Sequence, residues 1–250
     1  MQLIDAHLHP DPKDPLAISH LLTIMDTHSV RKAMLILNTE AEYEALLKEK
    51  DCFLSNRDRF WIASGINIHD LDSFRRFETL GEMGAQPKVK IHPRLFRITK
   101  EEIDTVVAAV QRYDVPIIVD SLYYGEEIAY HNGVELGVAL AVRYPDRKVV
   151  MAHSGSIQFL KCMMATRYLP NVYYDYSFIQ SFFQHTSLRL DMVDFLRRTP
   201  NRILFGSDYP SFPIDSCLEN FLSLFEESGL GREKLGGLLS GNAETVYGVS

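Results

Sequence analysis

The chain has 250 residues, 46% hydrophobic and 24% charged, with a formal net charge of −7. A chain of this size and make-up buries a core without disulfides or a structural metal, and its acidic balance argues against a general nucleic-acid binder, which needs clustered Lys and Arg. Cys52, Cys162 and Cys217 lie far apart with no CxxC pair, so the reading is a reduced, cytoplasmic protein, with no signal peptide and no apolar run able to span a bilayer.

Strand and helix patterns alternate along the whole chain. A strand is expected at 3–6, a helix at 15–28, a strand at 32–37, a helix at 41–54, a strand at 60–66, a helix at 71–83 and a strand at 88–91. Behind Thr99, with Glu102 three residues on as in a capping box, Ile103, Val106, Val107 and Val110 repeat at helical spacing. Then follow a strand at 116–119, a helix at 134–143, a strand at 148–152, a helix at 157–167, a strand at 172–176, a helix at 187–198 and a strand at 203–206. Helices at 216–227 and 232–247 close the chain.

Several of these strands are apolar throughout, such as Ala33-Met34-Leu35-Ile36-Leu37. That suits parallel strands buried on both faces. Eight βα units in one chain, with no linker and no dinucleotide or P-loop glycine motif, point to an α/β fold, a single-domain (β/α)8 TIM barrel over residues 1–250.

In such a barrel the chemistry sits where strands end. His7 and His9 stand two apart at the first strand's end. Alternation along a strand turns both to one side, where two imidazoles can share an ion. At the fourth strand Lys90 and His92 share a face as candidate substrate contacts; Lys90 could instead carry a carbamate or snorkel from the rim. The fifth strand ends in Asp120, a carboxylate that is costly after an apolar run unless paired or metal-bound. His153 closes the sixth strand, as a ligand, an electrophile or a satisfied buried histidine. Asp208 leaves the eighth as metal ligand, proton acceptor or plain helix cap. The remaining histidines, His20, His28, His69, His131 and His185, read as surface groups.

These stretches resemble the amidohydrolase superfamily, specifically its amidohydrolase-2 branch: Ile4-Asp5-Ala6-His7-Leu8-His9, Val89-Lys90-Ile91-His92-Pro93, Val150-Met151-Ala152-His153-Ser154-Gly155, Leu204-Phe205-Gly206-Ser207-Asp208-Tyr209-Pro210 and Gly241-Asn242-Ala243. The resemblance implies a divalent metal, zinc with manganese as competitor, held by His7, His9 and Asp208, with His153 polarising the substrate. Where the branch has a fifth-strand histidine this chain has Asp120, expected as an oxygen ligand, with a role orienting a histidine or contacting substrate as the alternatives. The implied activity is hydrolysis of a small amide, lactone or cyclic acid by activated water, with Asp208 as proton acceptor. A metal-dependent decarboxylase and a non-catalytic binding barrel are the rival readings. A small-molecule substrate is the expected partner, and a homodimer stays open.

Overall fold

A computed structural model describes residues 2–248. Its elements run β1 (Leu3–Leu8), α1 (Ala17–Thr27), β2 (Val30–Leu37), α2 (Glu40–Lys48), α3 (Lys50–Ser55), β3 (Phe60–Gly65), α4 (Leu71–Glu82), β4 (Lys88–Ile91) and α5 (Ile103–Ala109). The second half continues with β5 (Ile117–Asp120), α6 (Gly133–Arg143), β6 (Val149–Ala152), α7 (Phe159–Thr166), β7 (Val172–Asp175), α8 (Ile179–Phe182), α9 (Leu188–Arg198), β8 (Ile203–Leu204), α10 (Ile214–Ser228) and α11 (Asn242–Tyr247).

The eight strands are parallel and pair in chain order. The seam between last and first is closed by the segment after β8. Ala6 N donates to Phe205 O at 2.8 Å, Asp208 N to His7 O at 2.8 Å and His9 N to Tyr209 O at 2.8 Å. This is the expected (β/α)8 barrel. Side chains of alternate residues fill its interior, among them Ile4, Met34, Ala63, Ile118, Val150 and Leu204, and the helices cover a larger apolar layer outside.

Three expected elements come out differently. The helix expected at 41–54 breaks at Glu49, whose carboxylate turns away to accept from Ile18 N at 2.6 Å and from Ser19 Oγ, capping α1. The last expected helix, 232–247, is a 3₁₀ turn, a π turn at Gly237–Gly241 and then α11. The eighth strand keeps regular pairing for two residues only, because its continuation bends onto β1. No helix among the described residues is long and apolar enough to cross a membrane.

Candidate active site

The barrel's C-terminal mouth gathers the polar residues that follow the strands. On β1 the register with β2 shifts between Asp5 and Leu8, so simple alternation does not place the two histidines. A carboxylate does instead. Asp5 Oδ1 accepts from His7 N at 3.0 Å and from Ser207 N at 2.9 Å, tying the bulged end of β1 to the chain leaving β8. Burial lifts the Asp5 carboxyl to about 7, although the hydrogen bonds from Ser207 and His7 work against that rise. Gly206 permits the close approach: a Cβ there would lie 2.9 Å from both Asp175 Oδ1 and His7 Cβ. Asp208, in left-handed backbone at φ 64°, then turns back beside the histidines.

His7, His9 and Asp208 form one cluster. His7 Nε2 lies 3.3 Å from His9 Nε2, and Asp208 Oδ1 lies 3.4 Å from the first and 3.7 Å from the second. The opposite ring nitrogens decide the proton positions. His7 Nδ1 is 2.5 Å from Asp175 Oδ2, and His9 Nδ1 is 2.9 Å from Glu42 Oε1 and 3.1 Å from Ile36 O. All three partners accept, so both Nδ1 atoms carry the hydrogen. With both rings neutral, as metal ligation requires, the two Nε2 lone pairs face each other and a carboxylate oxygen, three acceptors with no proton to share. Burial, reinforced by Lys90 and His153, holds the His7 ring well below its usual pKa and keeps it neutral.

A divalent cation resolves that conflict, and the donors fit one. Ligand atoms placed tetrahedrally 2.0–2.2 Å from an ion are about 3.3–3.6 Å apart, close to the separations here. Asp175 and Glu42 hold the two rings by Nδ1 as outer carboxylates would hold the histidines of a metal site. Two imidazoles and one carboxylate suit zinc, and the oxygen leaves room for manganese.

Lys90, His92, Asp120 and His153 form a second cluster with the opposite logic. Asp120 Oδ2 lies 3.3 Å from His92 Nε2, 3.3 Å from His153 Nε2 and 3.9 Å from Lys90 Nζ. His92 Nδ1 accepts from Leu95 N at 3.2 Å, so its Nε2 carries the hydrogen on the side that faces Asp120. Burial drives the His92 pKa down to about 3, against the pull of Asp120, which leaves the ring neutral. His153 Nδ1 faces Ser177 O at 3.1 Å. Burial opposes its charge, but the hydrogen bond to Asp120 and the nearby Asp208 carboxylate outweigh it and raise the ring to about 9. Asp120 stays ionised despite burial, because His92, His153 and Lys90 surround it. Lys90 is fully buried and its Nζ has no hydrogen-bond partner.

Asp120 therefore stands outside the group of atoms able to share one ion, which comprises His7, His9 and Asp208. Its Oδ2 faces the ring N–H groups of His92 and His153, an arrangement that favours a positioning role over the ligand role expected from the sequence. The five strand-end residues do converge on one mouth, and so do Lys90 and His92.

Above both clusters opens a cavity of about 380 Å³, walled by His9, His92, Asp120, His153 and Asp208. Three residues of the site lie outside what the sequence pattern singles out. Asp175 ends β7 after the run Val172-Tyr173-Tyr174, the same signal that marks Asp120. Glu42 also accepts from Asn38 N, Thr39 N and Thr39 Oγ1, so it doubles as the capping-box residue of α2. Arg94 lines the cavity with its Nε buried and unpartnered and its guanidinium 5.6 Å from the Tyr124 ring centre.

The fold is that of a (β/α)8 TIM barrel with its polar residues gathered at the C-terminal mouth. A family model described as amidohydrolase matches residues 75–249, and the chain belongs to that family. The matched residues begin after β3, so His7 and His9 lie outside them. No curated protein matches the chain. Among solved structures it is similar to an uncharacterized TIM-barrel protein from Bordetella bronchiseptica, with TM-score 0.76, 16% identity and 98% of each chain covered. It is also similar to a 5-methylcytosine deaminase from Klebsiella pneumoniae, with TM-score 0.63, 16% identity and 94% of this chain against 65% of that one. An N-isopropylammelide isopropylaminohydrolase from Burkholderia multivorans aligns with TM-score 0.60 and 12% identity, over 92% of this chain and 62% of that one. At these identities the likeness is one of fold.

Proposed function

We propose that the chain is a metal-dependent hydrolase that adds water to a carbonyl carbon of a small substrate, an amide, lactone or cyclic acid. One observation carries the reading: two imidazoles, each with Nδ1–H bound to a carboxylate, aim their lone pairs at the same point as Asp208 beneath an open cavity. His7, His9 and Asp208 would hold a divalent ion, which when bound would supply Lewis acidity toward a carbonyl and lower the pKa of water toward neutrality.

The chain's own groups do the rest. Asp208 accepts a proton from the attacking water and passes it to the leaving group. His153, kept cationic by Asp120, offsets the negative charge that grows on the carbonyl oxygen. Asp120 positions His153 and balances Lys90. Arg94 takes an anionic group of the substrate at the cavity wall.

The test is metal analysis of the purified protein, followed by a screen of lactones, amides and carboxylated aromatics in ¹⁸O-labelled water. One equivalent of zinc or manganese and one labelled oxygen per product are expected. Carbon dioxide release with no label in the organic product would replace hydrolysis by decarboxylation on the same residues.

A further inference from the structure

The opposite end of the barrel holds a second cavity, about 420 Å³, walled by Lys32, Arg57, Trp61, Lys88 and the ring of Tyr247. Lys32 belongs to β2, Lys88 to β4, and Trp61 to β3 between them. Lys88 is 3% exposed, yet it makes no ion pair among the described residues, and the only charged group acting on it there is Lys32. Burial and that neighbour both depress its basicity. Lys32 stacks its ammonium 4.7 Å from the centre of the Trp61 ring. It feels Asp58 and Glu244 without an ion pair to either, and Glu244 is engaged by Arg31. Among the described residues Asp58 is the one carboxylate on the cavity wall, beside three cations.

A buried cation without a counter-charge, as Lys88 is, is costly, and the half-buried Lys32 facing the same cavity adds to the cost. On a chain whose net charge is −7 this concentration of unpaired positive charge has no general electrostatic origin. The missing partner is an acceptor-rich anion. A dianion matches two ammonium groups and a guanidinium better than a single carboxylate does.

We infer that this N-terminal cavity binds a phosphate group, free or as a small phosphate monoester, at a site separate from the mouth that holds the histidines. Bound there, the anion would span β2 and β4 and stabilise the folded barrel through linkage.

Trp61 is the only tryptophan of the chain and stands in the cavity wall, so its fluorescence reports occupancy directly. Inorganic phosphate and glycerol phosphate, each at constant ionic strength set with chloride, are titrated into the protein while emission and melting temperature are followed. A saturable emission change with a rise in melting temperature is expected. Tighter binding of glycerol phosphate assigns an esterified ligand, and equal binding assigns free phosphate. Lys88→Met, which replaces an unpaired buried charge by an apolar chain of similar length, should fold and weaken phosphate binding at least tenfold, about the worth of one charge-assisted contact. Asp208→Asn, at the other mouth, should leave the titration unchanged. The inference is overturned if emission does not saturate, if Lys88→Met binds as the parent does, or if Asp208→Asn abolishes the effect while Lys88→Met keeps it.

Discussion

The two polar clusters at the barrel mouth use the same kinds of residue for opposite ends. In the first, Asp175 and Glu42 take the Nδ1 hydrogens of His7 and His9, and the ring lone pairs are left facing Asp208. In the second, backbone groups fix His92 and His153 so that their Nε2 hydrogens point at Asp120. One arrangement gathers acceptors and calls for a cation. The other gathers donors around a carboxylate and carries its own counter-charge. Where the outer partner of each ring sits thus decides whether a His–Asp cluster is a metal site or an ion pair.

The comparison is broken most severely at Asp208, which lies in the His7–His9 cluster and in the proposed reaction also moves the proton. Asp208→Asn should lower turnover by roughly 10²–10⁴-fold on a substrate found by the screen. Turnover at the parental rate would remove Asp208 from the chemistry.

Asp175 probes the outer partner of His7. Asp175→Asn can donate to Nδ1 and so flip the ring's tautomer, placing the hydrogen on Nε2 where the ion should bind. Metal affinity measured by competitive chelation should fall about 10–100-fold. An unaltered affinity would mean that the His7 tautomer does not depend on Asp175.

A smaller effect is expected at the cavity wall. Arg94→Gln should raise KM for carboxylated substrates by about tenfold, the scale of one charge-assisted hydrogen bond, and leave KM for their neutral amides alone. Equal changes in both would sever Arg94 from substrate charge.

The smallest is a displacement of the pH profile. His153 is raised to about 9 and acts as the protonated form, so activity should decline as pH rises through that value. In Asp120→Asn the charged partner is gone, and the alkaline limb should move to lower pH. A limb that stays in place would show that another group sets it.

The barrel was open to sequence reading because parallel strands buried on both faces are nearly continuous apolar runs, and because eight of them alternate with helical spacing. His7, His9, Asp120, His153 and Asp208 are legible for the related reason that each polar group ends such a run. Asp175 carries the same mark, but it sits between Tyr174 and Tyr176, and the run reads as aromatic strand packing. Glu42 is hidden by its own capping box, which gives a sufficient local reason for a glutamate there. The break at Glu49 is invisible because the helical pattern continues through it, while the carboxylate answers to Ile18 and Ser19 on another helix. Asp120 shows the deeper limit. Residue type and strand position make it a fair ligand candidate, yet its role depends on where hydrogens lie on rings brought in from β4 and β6.

The account rests on the cation belonging to one cluster alone, and metal retention tests this most directly. The parent, Asp208→Ala and Asp120→Ala are loaded with zinc, dialysed against a mild chelator and analysed for metal. Asp208→Ala should emerge without zinc, while Asp120→Ala keeps an occupancy close to the parent's. Loss of zinc from Asp120→Ala to the same degree as from Asp208→Ala would contradict the account and return Asp120 to the ligand set.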